Sequence, residues 1–383
     1  MGNPAANGGG TVGRAFDRLT DQFGLGLVQT KFAYSDKHSD LVVDLTFGPN
    51  AELGNFGNQR FMQPGGAATG YYPANGNQSV LYGTSAAIKQ AYFTWKATSK
   101  LSFTVGQFGT HIGYEVIDAP VNYHYSLSNL FNNGPFYHIG AKANYAFSDN
   151  AALMIGVVNN WDALTDWKKQ KSFIAQLYVK PVDGWNVYLN LITGKNDDGF
   201  KAGTNNAFQA NANPIYPFLT SSYSRTLFDL TTGYQITDKF YLGLNAAYGW
   251  YNFSGGSNPV LDPTSGNVVA ATETDYIVGK YQKLKPTWGG VAGYVNYAIN
   301  DIVGIGARYE YFTDKYAVRY IGTTNTSLTI TVPITLADGH LIVKPEFRYD
   351  KADDVNGVKY YEDKDGNGTN NQSTLGMAFI YKY

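Results

Sequence analysis

The 383-residue chain contains no cysteine, which excludes disulfides and thiolate metal sites and leaves the redox compartment open. Charge is scarce as well. Asp, Glu, Lys and Arg together make up 15%, where soluble domains carry roughly 25%. The formal net charge is -1, so the basic footprint of a nucleic-acid partner is missing. Long apolar runs are also absent: no segment approaches the roughly 20 consecutive apolar residues of a spanning helix, and mean hydropathy is -0.27. The opening MGNPAANGGG has neither a basic nor an apolar stretch and is not a signal peptide. For an exported protein, the signal is then expected to have been removed from this sequence.

The chain is instead rich in Tyr (31), Phe (22) and Gly (43). Its apolar residues sit in alternate positions, the period of a strand with two unlike faces. In KFYLGLNAAYGWYNF, the set Phe240, Leu242, Leu244, Ala246, Tyr248 and Trp250 alternates with Tyr241, Gly243, Asn245, Ala247 and Gly249. DIVGIGARYEYF places Ile305, Tyr309 and Tyr311 opposite Arg308 and Glu310. HLIVKPEFRYD sets Leu341, Val343, Pro345, Phe347 and Tyr349 against Lys344, Glu346, Arg348 and Asp350. Four charges on one face would be costly in a sandwich core and are tolerated in a wet lumen. Pro345 removes a ladder donor, so a bulge or an irregular strand is expected there. The closing STLGMAFIYKY turns Leu375, Met377, Phe379, Tyr381 and Tyr383 one way, toward lipid on this reading, with the last two tyrosines at the periplasmic interface.

Such segments number about fifteen from Phe23 onward, each of roughly 10 residues, the length of a tilted membrane-crossing strand. Tight connections near 148–150, 182–184, 237–239, 299–301 and 337–339 alternate with long Gly/Asn/Ser-rich ones near 48–84, 112–135, 195–222, 254–284 and 351–372. Short turns on one side and long loops on the other predict an all-β fold: a transmembrane antiparallel up-and-down β-barrel with short periplasmic turns and long extracellular loops. A soluble propeller or jelly roll shares the alternation, but no repeat of propeller length is present. Trp95, Trp185, Trp250 and Trp288 fall near strand ends, where interfacial girdles belong. The first clear strand runs toward the periplasm, as the last does. The expectation is therefore a barrel of about 16 strands whose first strand is absent from this sequence or whose N-terminal segment closes it irregularly. Residues 1–22 read as an extracellular loop or irregular segment, and residues 23–383 as the barrel.

Three stretches, VGQFGTHIGYEVIDAPVNYHYSLSNLFNNGPFYHIGAKANYAF, IGVVNNWD and KPEFRYD, taken in this order resemble the β-barrel porin-2, OmpL-like family of Gram-negative, Bacteroidota-type outer membranes. The resemblance covers most of the chain from Phe16 to Tyr383, and the first stretch is the most specific. It implies an outer-membrane pore for passive diffusion of small polar solutes or ions. Members usually carry a signal peptide and a first strand ahead of the region matched by Arg14 to Asp17, and this sequence departs from that pattern. Porins often form trimers, so further copies of the chain join lipid and small polar solutes as expected partners. The terminal aromatic strand resembles the signal read by barrel-assembly machinery.

Four groups carry candidate chemistry. Loop 113–135 either folds into the lumen, with Glu115 and Asp118 facing basic wall residues across a constriction, or packs outward on its own aromatics. Arg308, Glu310, Lys344, Glu346, Arg348 and Asp350 form a charged stripe that is either an ion-pair ladder or a pore lining. Asp363, Asp365, Asn367 and Gly368 match the first half of a calcium loop, but Thr374 stands where the bidentate Glu belongs, so turn chemistry is the plainer reading. His111, Asp118, His124 and Ser126 share one region without a nucleophile elbow or metal-spaced histidines. No enzyme, cofactor or resident metal is expected. The rival function is a non-conducting structural or interaction barrel whose loops, above all 48–84 and 254–285, bind other proteins.

Overall fold

A computed structural model describes residues 11–18, 20–56, 87–164, 169–196, 223–253, 258–261, 268–271, 282–283, 286–315, 319, 321–354, 359–363 and 367–383. One 16-stranded antiparallel sheet dominates. Its strands are β1 (Val28–Ser35), β2 (Ser39–Phe47), β3 (Ile88–Lys96), β4 (Leu101–Gly109), β5 (Tyr137–Ser148), β6 (Ala151–Val158), β7 (Ser172–Val179) and β8 (Trp185–Asn196). They continue through β9 (Tyr223–Gln235), β10 (Phe240–Phe253), β11 (Thr287–Ala298), β12 (Gly304–Thr313), β13 (Thr324–Thr331), β14 (Ile334–Leu336), β15 (Leu341–Ala352) and β16 (Asn371–Tyr381). Apart from β13 and β14, which share one edge of β15, neighbours in sequence are neighbours in the sheet, the up-and-down order that short turns enforce. A helix, α1 (Pro49–Phe56), follows β2, and a single turn, α2 (Asn129–Asn132), lies between β4 and β5. Among the described residues no helix is long and apolar enough to cross a membrane.

Alternation in the sequence becomes an inside and an outside. Along β12, Tyr309 and Tyr311 are 59% and 42% exposed, while Arg308, Glu310 and Phe312 are fully buried. The exposed set continues around the sheet through Phe93, Val105, Ile155, Leu189, Val291, Phe347, Leu375 and Phe379. This apolar outer belt is what a lipid-facing barrel presents. Aromatic pairs mark both rims: Trp95 stacks on Phe103 beside the short turn at 97–100, and Trp250 stacks on Phe228 at the long-loop end. Trp288 departs from the girdle expected of it. It is 2% exposed and turns inward, onto Trp161 and Tyr251.

The irregularity expected at Pro345 falls on its neighbour. β15 keeps an unbroken register against β16, with Pro345 opposite Met377. The Pro345 carbonyl accepts the Val332 amide, so the missing Pro345 N–H points to that same side. The adjacent stave is interrupted there at Val332–Pro333, between β13 and β14. Because β13 and β14 pair successive parts of the same edge of β15, the sixteen strands form fifteen staves. With an odd number of antiparallel staves, β1 and β16 run in the same direction, and no ladder joins them among the described residues. Residues 11–18 and 20–27 bond to both sides of this seam at the loop end. Val12 exchanges hydrogen bonds with the Gln372 side chain, Arg14 reaches Asp350 and Thr374, and the Gly26 carbonyl accepts the Asn50 amide.

Phe347 lies halfway along β15 on the outer face, so Phe347→Arg should cost about 2–4 kcal/mol of folding in lipid vesicles. His340→Arg, at the exposed short turn, should change it by roughly 0–1 kcal/mol. Urea titration of vesicle-inserted protein measures both, and equal costs would contradict the assigned depth.

Candidate functional site

The connection 110–136 does not return along the outside. It crosses the lumen, and its backbone is held by the wall. Glu310 receives the Asn129 amide N–H at 2.8 Å on one oxygen and the Leu130 amide N–H at 2.8 Å on the other. Glu346 takes the Tyr125 and Ser126 amides at 2.7 and 2.9 Å. On the opposite wall Asp229 takes the Gly113 amide at 3.0 Å, and Asn190 and Asn245 hold it from either side at 2.8 and 2.6 Å. The basic residues bind the complementary groups. Arg308 donates to the Ser126 carbonyl at 2.7 Å, Arg348 to that of Leu127 at 2.7 Å, and Lys344 to those of Ala119 and Asn122. A carboxylate receiving two backbone N–H groups is an acceptor matched to orphan donors of a turn, the arrangement seen at helix N-termini.

The loop segment and the charged stripe are thus one assembly. Glu115 is ion-paired with Arg308 at 2.5 Å and also accepts the Ser128 amide at 2.7 Å. Asp350 is shared between Arg348 at 2.8 Å and Arg14 at 2.6 Å. All of these side chains are buried. Asp118 differs: it is the more open partner of Lys89, at 2.5 Å, and also accepts from Gln29 at 2.7 Å. Burial opposes its charge, but the Lys89 ammonium and these hydrogen bonds outweigh that and hold its carboxyl below the usual range. Glycines make room for the loop's tyrosines. A Cβ on Gly306 would stand 2.3 Å from the Tyr123 ring, and one on Gly243 2.4 Å from the Tyr114 hydroxyl.

The lumen has two unlike halves. Toward β6–β12, at the long-loop end, Ile112, Leu130, Trp161, Ile174, Ile192 and Leu227 pack with Trp288 and Phe312 into an apolar cluster. Arg225 lies 3.6 Å over the Trp161 ring, and the Phe136 and Tyr137 amides bind Asp162 at 2.6 and 3.1 Å. Toward β1–β4 the wall is polar, with Gln29, Asp44, Lys89 and Gln90 joined around Asp118. Beneath the loop a cavity of about 1000 Å³ opens between the short turns at 237–239 and 299–303.

Alternation alone does not mark Asp229, Asp162, Lys89 or Arg14 as site residues. Asp229 and Lys89 were legible as charges on the non-lipid face of a strand. Asp162 follows the end of β6, outside any alternating stretch. The four residues weighed for catalysis do not converge: His124 bonds Thr331, His111 bonds the Leu191 carbonyl, and Asp118 bonds Lys89. In the partial calcium motif, Asp363 accepts the Asn367 amide and side chain within a hairpin. Asp365 lies outside the described residues, and Thr374 sits in the barrel wall against Arg14.

Thr331 donates to Glu346 at 2.7 Å, so the His124 ring must donate to Thr331. Burial, reinforced by Arg308, Lys344 and Arg348, holds His124 well below its ordinary value, and burial takes His111 down to about 4. Both are neutral when folded, so the stability they confer is present above the unfolded value near 6.5 and is lost as pH falls below it. Burial raises Asp162 to about 6; this group gains stability on acidification over the same window, with the opposite sign. Two histidines outweigh one carboxyl. Thermal unfolding in detergent should therefore come earlier at pH 5 than at pH 7. His124→Gln should flatten the dependence. Arg308→Met leaves Glu115 buried without its partner and should cost about 3–5 kcal/mol; adding Glu115→Gln should recover part of that cost, as read by a double-mutant cycle.

A family model described as "Putative beta-barrel porin-2, OmpL-like" matches residues 2–383. Among solved structures, the chain is similar to outer-membrane-expressed OmpT of Vibrio cholerae, at 14% identity and TM-score 0.53, covering 94% of this chain and 92% of that one. The in-vitro folded trimer form of OmpT gives 13% and 0.54, with 94% of each chain covered. The anion-selective porin from Comamonas acidovorans gives 8% and 0.51, covering 93% and 90%. At these identities the likeness shows the fold alone. No curated protein sequence matches. The fold is shared with these porins, and the family model is that of a putative porin. With its lipid-facing belt, up-and-down order and full-length family match, the chain is an outer-membrane β-barrel and belongs to the putative beta-barrel porin-2, OmpL-like family.

Proposed function

We propose that this porin passes small polar solutes and ions passively, through a lumen narrowed by residues 110–136. The observation that carries the reading is the cavity of about 1000 Å³ that rises from the short-turn mouth to the underside of the loop. A barrel built only as an anchor has no need of it. On this reading the path continues along the polar β1–β4 side, past Lys89 and Asp118, because the β6–β12 side is filled by apolar packing. Solutes are sorted by width and by the charges that remain wet at the narrowing.

The eight acidic and basic residues then divide by role. Glu115, Arg308, Glu310, Lys344, Glu346, Arg348 and Asp350 fasten the loop and act on transport by fixing its position. Asp118 is the residue that meets the solute, opposite Lys89. Neighbouring charges of opposite sign set a short-range field that orients polar solutes.

A second reading, a non-conducting interaction barrel, is favoured by one observation: the apolar cluster around Trp161 and Leu130 closes much of the lumen among the described residues. Planar-bilayer recording separates the two. The channel reading expects a steady small conductance in KCl, and Asp118→Asn should lower the cation-to-anion permeability ratio severalfold without changing the loop's position. Absence of any conductance would establish the plugged barrel. Conductance with unaltered ion preference would remove Asp118 from the narrowing.

A further inference from the structure

We infer that the cavity beneath the loop is a binding station for uncharged polyhydroxylated solutes of oligosaccharide type, a reading that deepens the channel function and rests on it. The charges lining its interior are neutralised in place. Glu115 is held by Arg308 at 2.5 Å and Asp118 by Lys89 at 2.5 Å, while Asp238, Lys239 and Asp301 lie on the turns at its mouth. Besides the paired Asp118 and Lys89, a solute inside meets phenol, amide and threonine hydroxyl groups. Tyr188 and Asn186 on β8, Tyr241 on β10 and Asn296 on β11 line one wall, with Tyr114 from the loop above them and the buried Tyr294 behind it.

These groups form a track from mouth to loop. Asn186 and Tyr241 belong to the short-turn end of their strands, and the Asn186 side chain accepts the Tyr178 hydroxyl at 2.9 Å. Higher up, Tyr241 and Tyr114 share a hydrogen bond at 2.8 Å, and Tyr114 stacks on Tyr294 with ring centroids 4.2 Å apart. Such rings offer flat apolar faces with polar edges, and side-chain amides supply donor and acceptor together. A pyranose has the matching form, with C–H faces and a rim of hydroxyls. An anion or cation would have to give up hydration without gaining a free counter-charge. About 1000 Å³ is at the upper end of ligand-pocket volumes, enough for a short oligosaccharide.

The test is equilibrium dialysis of the detergent-solubilised full chain against maltotriose and, separately, gluconate, alongside conductance in KCl. Saturable maltotriose binding is expected, with gluconate at least tenfold weaker. Tyr188→Ala and, independently, Asn186→Ala should each weaken maltotriose about tenfold while thermal unfolding stays at the wild-type temperature. If either variant unfolds early, the other decides. No saturable maltotriose binding, equal binding of gluconate, or full binding by both folded variants overturns the station. Conductance without sugar binding leaves the channel standing and removes only the station. Binding without conductance keeps the station and refutes the channel.

Discussion

A loop taken out of water must find partners for its backbone, and in this barrel the wall supplies them as ions. Glu310, Glu346 and Asp229 receive amide N–H groups of segment 110–136, while Arg308, Arg348 and Lys344 donate to its carbonyls. Buried backbone groups left unpaired cost about 1–3 kcal/mol each, so this arrangement is what permits an irregular segment to cross the lumen. The rest follows from it. Glycines replace side chains where the loop's tyrosines press on the wall, and the apolar cluster can form because Ile112 and Leu130 are carried into the centre.

Strand positions, faces and the charged stripe were all legible in the sequence, because lipid on one side and loop or water on the other impose a period of two on every stave. The odd stave count was legible for the same reason. Trp288 was misjudged, since proximity to a strand end does not reveal which face a residue takes. Pro345 was misjudged because a missing donor can be answered by a break in the neighbouring strand. The loop's inward path had no period to betray it. Its signature was indirect, a charged stripe of which Arg308, Glu310, Lys344, Glu346 and Arg348 match backbone groups of the segment.

That match also bears on selectivity. An opposite-charge pair in contact acts on a passing solute as a dipole, whose field falls off faster than that of a lone charge. Water and salt shorten its reach further, to about 8–10 Å at physiological ionic strength. Six buried charges on β12 and β15, each already hydrogen-bonded to the loop or to one another, therefore act weakly on a solute. Asp118 and Lys89 lie in the polar half of the lumen, and Asp118 retains partial contact with solvent. On the proposed channel reading, selectivity is set less by how many charges the wall carries than by which ion pairs the infolded loop leaves open to solvent.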